Sequence, residues 1–216
     1  AEKLDTPSSS PKLRKTLADL VECGFIQTVN KMNTAVANVK YIIADPFLLF
    51  HNKWVLPVNM NKVSRQKDYW ENIMSSQSYP IWAGFSFEMV CITNLEAYLK
   101  VRGLERIFKS ASYWNFVPND KEIDNGAKGA QIDILIECDN DYYEIIECKY
   151  YNDEYSISAD YKTKLLNKKN MFIQYGIKKK RFDIKTVFIS TYGVKENSYY
   201  NDIPVSGNYD LDTLFG

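Results

Sequence analysis

The chain has 216 residues, 45% of them apolar and 25% charged, which is the composition of a folded globular protein rather than of a disordered or fibrous one. Its single histidine, His51, excludes zinc peptidases and any metal site that needs two histidines. Four cysteines without a CxxC motif are too few for a disulfide scaffold, and no stretch reaches the ~18 apolar residues of a membrane span. We therefore expect a reduced, cytoplasmic protein without a membrane partner. The first residue is not Met, and we expect the chain to be a fragment of a longer protein.

The first third of the chain predicts a helix followed by two strands. Between residues 12 and 23, apolar side chains recur at helical spacing: Leu13, Leu17, Leu20 and Val21. Gly24 stands where a left-handed residue ends such a helix, and residues 25–29 and 39–43 predict strands. Helix, strand, loop and strand in this order form the second half of a winged helix. Residues 1–75 are therefore predicted to be a partial winged-helix region with a linker helix.

The helix of this region would be the recognition helix of a winged helix. Its basic residues outside the apolar stripe are candidate nucleic-acid contacts: Lys12, Arg14 and Lys15. The alternative is that the region packs against another domain and does not bind DNA. The linker helix is predicted to begin at Asp45-Pro46, with Asp as the N-cap and Pro in the first turn.

Residues 76–216 predict a second domain of the α/β class. A long helix is predicted over residues 82–101, followed by strands and a further helix: strands at 112–117, 132–137 and 142–150, a helix at 160–175 and a strand at 185–191. This order of elements predicts a mixed β-sheet flanked by helices.

The hairpin within this domain brings two carboxylates and a lysine together. If its turn is centred on Asn140, Asp133 lies opposite Glu147, and Lys149 projects from the same face two residues further on. The apolar neighbours then point to the other face, into the core: Ile132, Ile134, Ile146 and Cys148. Because like charges placed opposite each other destabilise a strand pair, the arrangement favours a bound Mg²⁺ or Mn²⁺.

The alternative interpretation of this trio is a partly exposed cluster of salt bridges without a metal. Glu88, which interrupts the apolar stripe of the long helix, is a further candidate for the site, although a single Glu on a helix is commonly an ordinary surface residue. The spacing alone leaves both interpretations open.

Zero net charge conceals an uneven distribution. Residues 76–157 carry seven basic and fourteen acidic side chains, whereas residues 158–185 carry nine basic and two acidic ones. The basic block is either a solvated helix face or a surface that binds phosphate groups beside a cation site. In the second case the nucleic-acid contacts are predicted among its lysines: Lys162, Lys168 and Lys169.

Asp133, followed by Glu147-x-Lys149 and a basic helix, resembles the PD-(D/E)xK nuclease superfamily. The resemblance implies a restriction-endonuclease-like fold in which Asp133 and Glu147 bind Mg²⁺ or Mn²⁺ and Lys149 is the catalytic lysine. It further implies that the Cys148 carbonyl is a ligand and that Glu88, on the first helix, adds to the catalytic set.

A second resemblance covers nearly the whole chain. Several segments look like the C-terminal part of bacterial and archaeal AAA-type P-loop ATPases: Glu22-Cys-Gly-Phe-Ile26, Asp45-Pro-Phe-Leu-Leu-Phe50, Trp82-Ala-Gly-Phe-Ser-Phe-Glu88 and Gly129-Ala-Gln-Ile-Asp133. The chain has no GxxxxGK[ST] motif, so the resemblance implies that the ATPase core lies upstream of it.

These features lead us to expect a metal-dependent nuclease-like domain that hydrolyses or binds DNA. One alternative is a catalytically silent module that binds DNA or regulates the ATPase. Another is a domain that only connects proteins within an ATPase assembly. The sequence does not predict an oligomeric state.

Overall fold

A mixed β-sheet forms the centre of the molecule. The computed structural model describes residues 10–33, 39–58 and 68–215, and all structural statements below refer to these residues. The strands, in chain order, are β1 (Ile26–Lys31), β2 (Val39–Ile43), β3 (Phe108–Phe116), β4 (Ala130–Cys138), β5 (Tyr142–Lys149), β6 (Tyr155–Ser156), β7 (Asp183–Ser190), β8 (Val194–Lys195) and β9 (Val205–Tyr209). Seven of them form one sheet in the order β2-β1-β3-β4-β5-β7-β9, and β6 pairs with β8.

Helices flank this sheet. They are α1 (Pro11–Glu22), α2 (Pro46–Phe50), α3 (Tyr69–Met74), α4 (Ser78–Thr93), α5 (Leu95–Arg102), α6 (Asp120–Asp124), α7 (Ala159–Met171), α8 (Ser198–Asn201) and α9 (Leu211–Phe215). Two helices continue as short π-helical segments, α2 over His51–Val55 and α7 over Phe172–Gly176. Within the described ranges, no helix has both the length and the hydrophobicity needed to cross a bilayer. The predicted mixed α/β architecture is confirmed, and it is compatible with a restriction-endonuclease-like fold.

The α1–β1–β2 unit forms in the predicted order and joins the central sheet. β1 and β2 are antiparallel, and β1 also pairs in parallel with β3 at Asn30–Ser112 and Lys31–Tyr113. The hairpin therefore lengthens the sheet that carries the second region. The division of the chain after residue 75 stays a prediction.

The two faces of the sheet are covered by different helices. On one face, Phe87 of α4 and Tyr98 of α5 pack against Ile134 and Ile146. On the other face, Phe172, just after α7, packs against strand residues that include Leu135 and Ile145. Each strand in the centre of the sheet is thus buried on both sides, which is why β4 and β5 read as nearly continuous apolar runs.

The long helix predicted over residues 82–101 is in fact two helices. α4 ends at Thr93 and α5 begins at Leu95, with Asn94 outside helical geometry at φ −111° and ψ 31°. The Thr93 hydroxyl donates to the Met89 carbonyl at 2.9 Å, and the Asn94 amide donates to the Val90 carbonyl at 2.8 Å. These side chains share the last carbonyls of α4 with the backbone, since the Asn94 backbone N–H also donates to the Val90 carbonyl at 3.1 Å, and such local bonds favour the end of a helix.

A β-bulge in β4 changes the predicted direction of one side chain. Ser112 pairs with Leu135 and Trp114 pairs with Ile132, so β4 has one residue more than β3 in this interval. As a result, Ile132 lies in the same core cluster as Leu135 and not with Ile134, which corrects the prediction that Ile132 and Ile134 share a face. The bulge lies at Asp133, where the candidate site begins.

Candidate metal and nucleic-acid site

The β4–β5 hairpin has the register that the sequence predicts. Its pairs run from Cys138–Tyr142 to Ile134–Ile146, around a turn in which Asn140 adopts φ +58°. The regular pairing ends there, and Asp133 and Glu147 are the next residues on the two strands. The bulge in β4 and the end of the ladder therefore coincide with the two carboxylates.

A cavity of about 180 Å³ lies beside these carboxylates. The four predicted catalytic residues line it together, as does Cys148: Glu88 from α4, Asp133 from β4, and Glu147 and Lys149 from β5. Residues of α7 form the opposite wall: Tyr161, Lys164, Leu165 and Lys168. Four separate elements thus bring acidic and basic side chains to one small space.

Glu147 is the most deeply buried of these acidic groups, with 5% of its surface exposed. Its Oε2 accepts a hydrogen bond from the Tyr161 hydroxyl at 2.6 Å, and its Oε1 forms an ion pair with Lys168. A buried carboxylate requires such partners, because an unpaired charge removed from water destabilises the fold by about several kcal/mol. In the protein without ligands, Lys168 supplies the positive charge that Glu147 needs.

Lys149 is half-buried between aromatic rings. Its ammonium lies 4.2 Å from the centroid of the Tyr161 ring and 5.6 Å from that of Tyr155. Burial lowers the pKa of Lys149, the charge of Glu147 opposes this, and the nearby Lys168 adds to the lowering. A lysine with a lowered pKa gives up its proton more readily than a solvated one, which suits a role in proton transfer.

Glu88 carries a carboxyl group with a raised pKa. Burial raises its pKa from 4.5 to about 7, and the charge of Asp133 adds to the effect, while Lys149 opposes it. Glu88 and Asp133 line the same cavity, so their like charges repel each other there. Asp133 itself is half-buried and accepts a hydrogen bond from the side-chain amide of Gln131.

The donor set of the cavity fits a hard divalent cation. Mg²⁺ takes oxygen ligands and commonly uses one or two carboxylates together with water and substrate phosphate. Asp133 and Glu147 would supply the carboxylates, with Glu88 and the Cys148 carbonyl as additional oxygen donors. The Cys148 thiol is not part of this set, since it packs in the core on the other face of β5. Among the described residues, no three acidic, cysteine or histidine side chains already form a metal-binding group.

The lysines predicted to bind nucleic acid are found in different surroundings. Lys168 lines the cavity, but Lys162 forms an ion pair with Asp202 at 2.7 Å, and Lys169 donates to the Ile184 carbonyl at 3.5 Å. The reason is helical geometry, because residues one position apart on α7 point about 100° away from each other. The three predicted contacts on α1, which are Lys12, Arg14 and Lys15, are exposed and do not line the cavity.

Two further residues of α7 contribute to the site: Tyr161, which sequence reasoning missed, and Lys164, which belongs to the predicted basic helix. Tyr161 hydrogen-bonds Glu147, and Lys164 lines the cavity beside it. Their signal was present in the spacing: residues 161, 164 and 168 lie at i, i+3 and i+7, which is one stripe of a helix. A search for that stripe in the helix after the Glu-x-Lys strand would have found all three.

Comparison with protein families identifies the family of the chain. Residues 54–165, slightly more than half of the chain, match the family DUF234, described as archaeal and bacterial proteins of unknown function. The matched range includes Glu88, Asp133, Glu147, Lys149 and Tyr161 and ends before Lys168. No curated protein matches the chain.

Proposed function

The chain belongs to the DUF234 family, and we propose that it contains a metal-dependent nuclease-like site acting on DNA phosphodiesters. The observation that carries the proposal is the convergence of Glu88, Asp133, Glu147 and Lys149 on one cavity. Structural salt bridges do not require three carboxyl groups in a half-buried space, where their mutual repulsion is unfavourable.

Each of these residues has a distinct role in the proposed reaction. Asp133 and Glu147 would hold the cation, and Glu88 would add a third carboxyl group to the site. When bound, the divalent cation supplies Lewis-acid stabilisation of the charge that develops on the phosphodiester. Lys149, held over the ring of Tyr161, orients the attacking water and stabilises the negative charge of the transition state.

The wider setting of the site is part of the proposal. The resemblance to the PD-(D/E)xK superfamily and to the C-terminal part of AAA-type ATPases favours a nuclease-like domain attached to an upstream ATPase core. In this setting α1, β1 and β2 are the remaining half of a winged helix. The exposed Lys12, Arg14 and Lys15 of α1 would then contact DNA outside the hydrolytic site.

Nicking of supercoiled plasmid DNA in the presence of Mg²⁺ or Mn²⁺ tests the proposal. We expect cleavage by the wild-type protein and a loss of at least about 100-fold in rate for Asp133→Asn and Lys149→Met, since each removes a group that acts on the transition state. Asp139→Asn, in the exposed turn of the same hairpin, is the matched control and should cleave like the wild type. Cleavage that persists in both site variants would overturn the assignment.

A second candidate function is a nuclease-fold module that binds phosphate groups without hydrolysing them. The observation in its favour is that both oxygens of Glu147 are engaged, one by Tyr161 and the other by Lys168. In that case the lysine permanently takes the place of the metal. Such a protein would bind DNA equally well in EDTA and in MgCl₂ and would not nick the plasmid.

A further inference from the structure

A larger groove adjoins the candidate site and shares two lysines with it. The groove, about 770 Å³ in volume, lies between residues 126–131 and α7, and we call it the basic groove. Three lysines line it, Lys128, Lys164 and Lys168, against one carboxylate, Asp160. Lys164 and Lys168 also line the small cavity of the candidate site, so these two side chains lie at the border between the two spaces.

The lining of the basic groove favours contact with phosphate over contact with bases. Besides the lysines it offers side-chain amides, from Gln131, Asn167 and Asn170. None of the described residues that line the groove is aromatic, so it has no surface on which bases could stack. Ammonium and amide donors recognise the sugar–phosphate backbone without regard to sequence.

Lys168 differs from the other lysines of the groove in its partner. Its ammonium pairs with Glu147, and its side chain retains 18% exposure towards solvent. Lys164, in contrast, is exposed, and among the described residues it forms no ion pair. A lysine is a point charge on a flexible four-carbon stem, so Lys168 can reach either Glu147 or a phosphate in the groove.

We propose that Lys168 is an exchangeable counter-ion that couples DNA binding to metal binding. In the protein without ligands it neutralises Glu147. A phosphodiester in the basic groove draws the ammonium away, and Glu147 then becomes available to a divalent cation. This inference rests on the proposed function in one respect, since it takes the small cavity to be a cation site.

Two physical consequences follow from the exchange. Lys168 and the cation compete for the same carboxylate, so the free protein binds metal more weakly than its carboxylates alone would allow. Because coupling between two ligands is reciprocal, DNA strengthens metal binding and metal strengthens DNA binding. The protein would therefore load its metal chiefly when a strand lies in the groove, which limits hydrolysis to bound substrate.

Calorimetric titration of MnCl₂ into the protein without DNA tests the competition. We expect Lys168→Gln to bind Mn²⁺ about tenfold more tightly than the wild type, which corresponds to the loss of a competing partly buried ion pair. Lys164→Gln is the comparison variant: it removes the same charge from the same cavity lining, but Lys164 forms no ion pair with Glu147, so this variant should tighten Mn²⁺ binding by less than about threefold. Lys168→Arg, which retains the charge, should remain close to the wild type.

The coupling is tested by the anisotropy of a fluorescein-labelled DNA duplex, measured in CaCl₂ and in EDTA at matched ionic strength. We expect Ca²⁺ to tighten DNA binding by the wild type and by Lys164→Gln, and to do so at least about threefold less for Lys168→Gln, since that variant lacks the shared group. This measurement on the wild type also decides the matter if Lys168→Gln does not fold. A wild-type DNA affinity that is unchanged by Ca²⁺ would overturn the exchange.

The outcomes separate this inference from the proposed function. If the wild type binds Mn²⁺ and Lys168→Gln binds it no more tightly than Lys164→Gln does, the exchange is wrong while the metal site stands. If neither the wild type nor Lys168→Gln binds Mn²⁺, both proposals fail. Binding by Lys168→Gln alone would support the exchange directly.

Discussion

Arg102 and Glu144 form an ion pair on the face of β5 opposite to Glu147. Glu144 is completely buried, and the guanidinium of Arg102 donates to it through Nε at 3.1 Å and through Nη2. The hydroxyls of Tyr98 and Tyr142 donate to the same carboxylate. Burial and the charge of Glu144 raise the pKa of Tyr98, so this hydroxyl stays protonated as a donor. The group ties α5 to the central strand, and its hydrogen bonds make the buried charge tolerable.

Removal of Arg102 should therefore destabilise the fold strongly. We expect Arg102→Met to lower the free energy of unfolding by about 3–5 kcal/mol, because Glu144 would remain buried without its cation. Lys109→Met is a suitable control, since Lys109 pairs with Asp139 at 3.3 Å with both side chains about half exposed, and such surface pairs contribute about 0–1 kcal/mol. Urea denaturation of the two variants measures the difference. Equal losses of unfolding free energy in the two variants would contradict the prediction that the buried pair contributes more than the surface pair.

Two glycine substitutions should have opposite effects. A Cβ at Gly176 would overlap the ring of Phe172 and approach Trp114 Nε1 to 3.0 Å, so Gly176→Ala should destabilise by about 1–3 kcal/mol through overpacking. A Cβ at Gly84, inside α4, would meet no atom within 4 Å. Gly84→Ala should stabilise by about 0.5–1 kcal/mol, the gain in helix propensity. Thermal unfolding followed by circular dichroism measures the change in melting temperature of each variant. A lower melting temperature for both variants would contradict the packing described around Gly84.

The sequence predicted those parts of the candidate site in which strand geometry alone determines which residues lie next to each other. The register of the hairpin follows from the position of the turn at Asn140, and it makes Asp133 and Glu147 the next residues after the last pair. The direction of Lys149 follows from the two-residue period of a strand. The direction of Ile132 did not follow, because the bulge in β4 depends on a mismatch with β3 that the hairpin sequence does not contain.

Contacts between distant elements were the part that pattern reasoning could not supply. The pairing of Lys168 with Glu147 depends on how α7 is rotated against β5, and the charge run of this helix gives no such information. The break at Asn94 had a local signal, since Thr and Asn side chains bond to nearby carbonyls, but the apolar stripe continued past it and concealed it.

Glu88 should make the stability of the metal-free protein depend on pH. Its pKa is raised from 4.5 to about 7, chiefly by burial, so between these values the native state binds more protons than the unfolded state. The stability that this group contributes is complete below about pH 4.5 and is lost as the pH rises through about 7. Over this window we expect the free energy of unfolding of the wild type to fall by about 1 kcal/mol relative to that of Glu88→Gln. The difference is small because the group is partly solvated.

Urea denaturation in EDTA at about pH 4 and about pH 8 measures this difference, since the two conditions lie on either side of the window. Glu96→Gln, on the first turn of α5, is the control for loss of a carboxylate outside the site. Parallel pH profiles for the wild type and Glu88→Gln would show that Glu88 ionises as an ordinary surface carboxylate.

Divalent cations should stabilise the folded protein through Asp133. A ligand that binds only the native state raises the free energy of unfolding, by about 2.7 kcal/mol at a concentration 100 times its Kd. MnCl₂ should therefore raise the melting temperature of the wild type, and the effect should be lost in Asp133→Asn, because the variant removes one of the two carboxylates that face the cavity from the hairpin. Asp139→Asn, in the exposed turn of the same hairpin, should respond like the wild type. Burial retains a proton on Glu88 below about pH 7, and a cation must displace this proton when it binds. The expected shift is therefore smaller at about pH 6 than at about pH 8. A shift of equal size in all three proteins would mean that Mn²⁺ binds elsewhere on the chain.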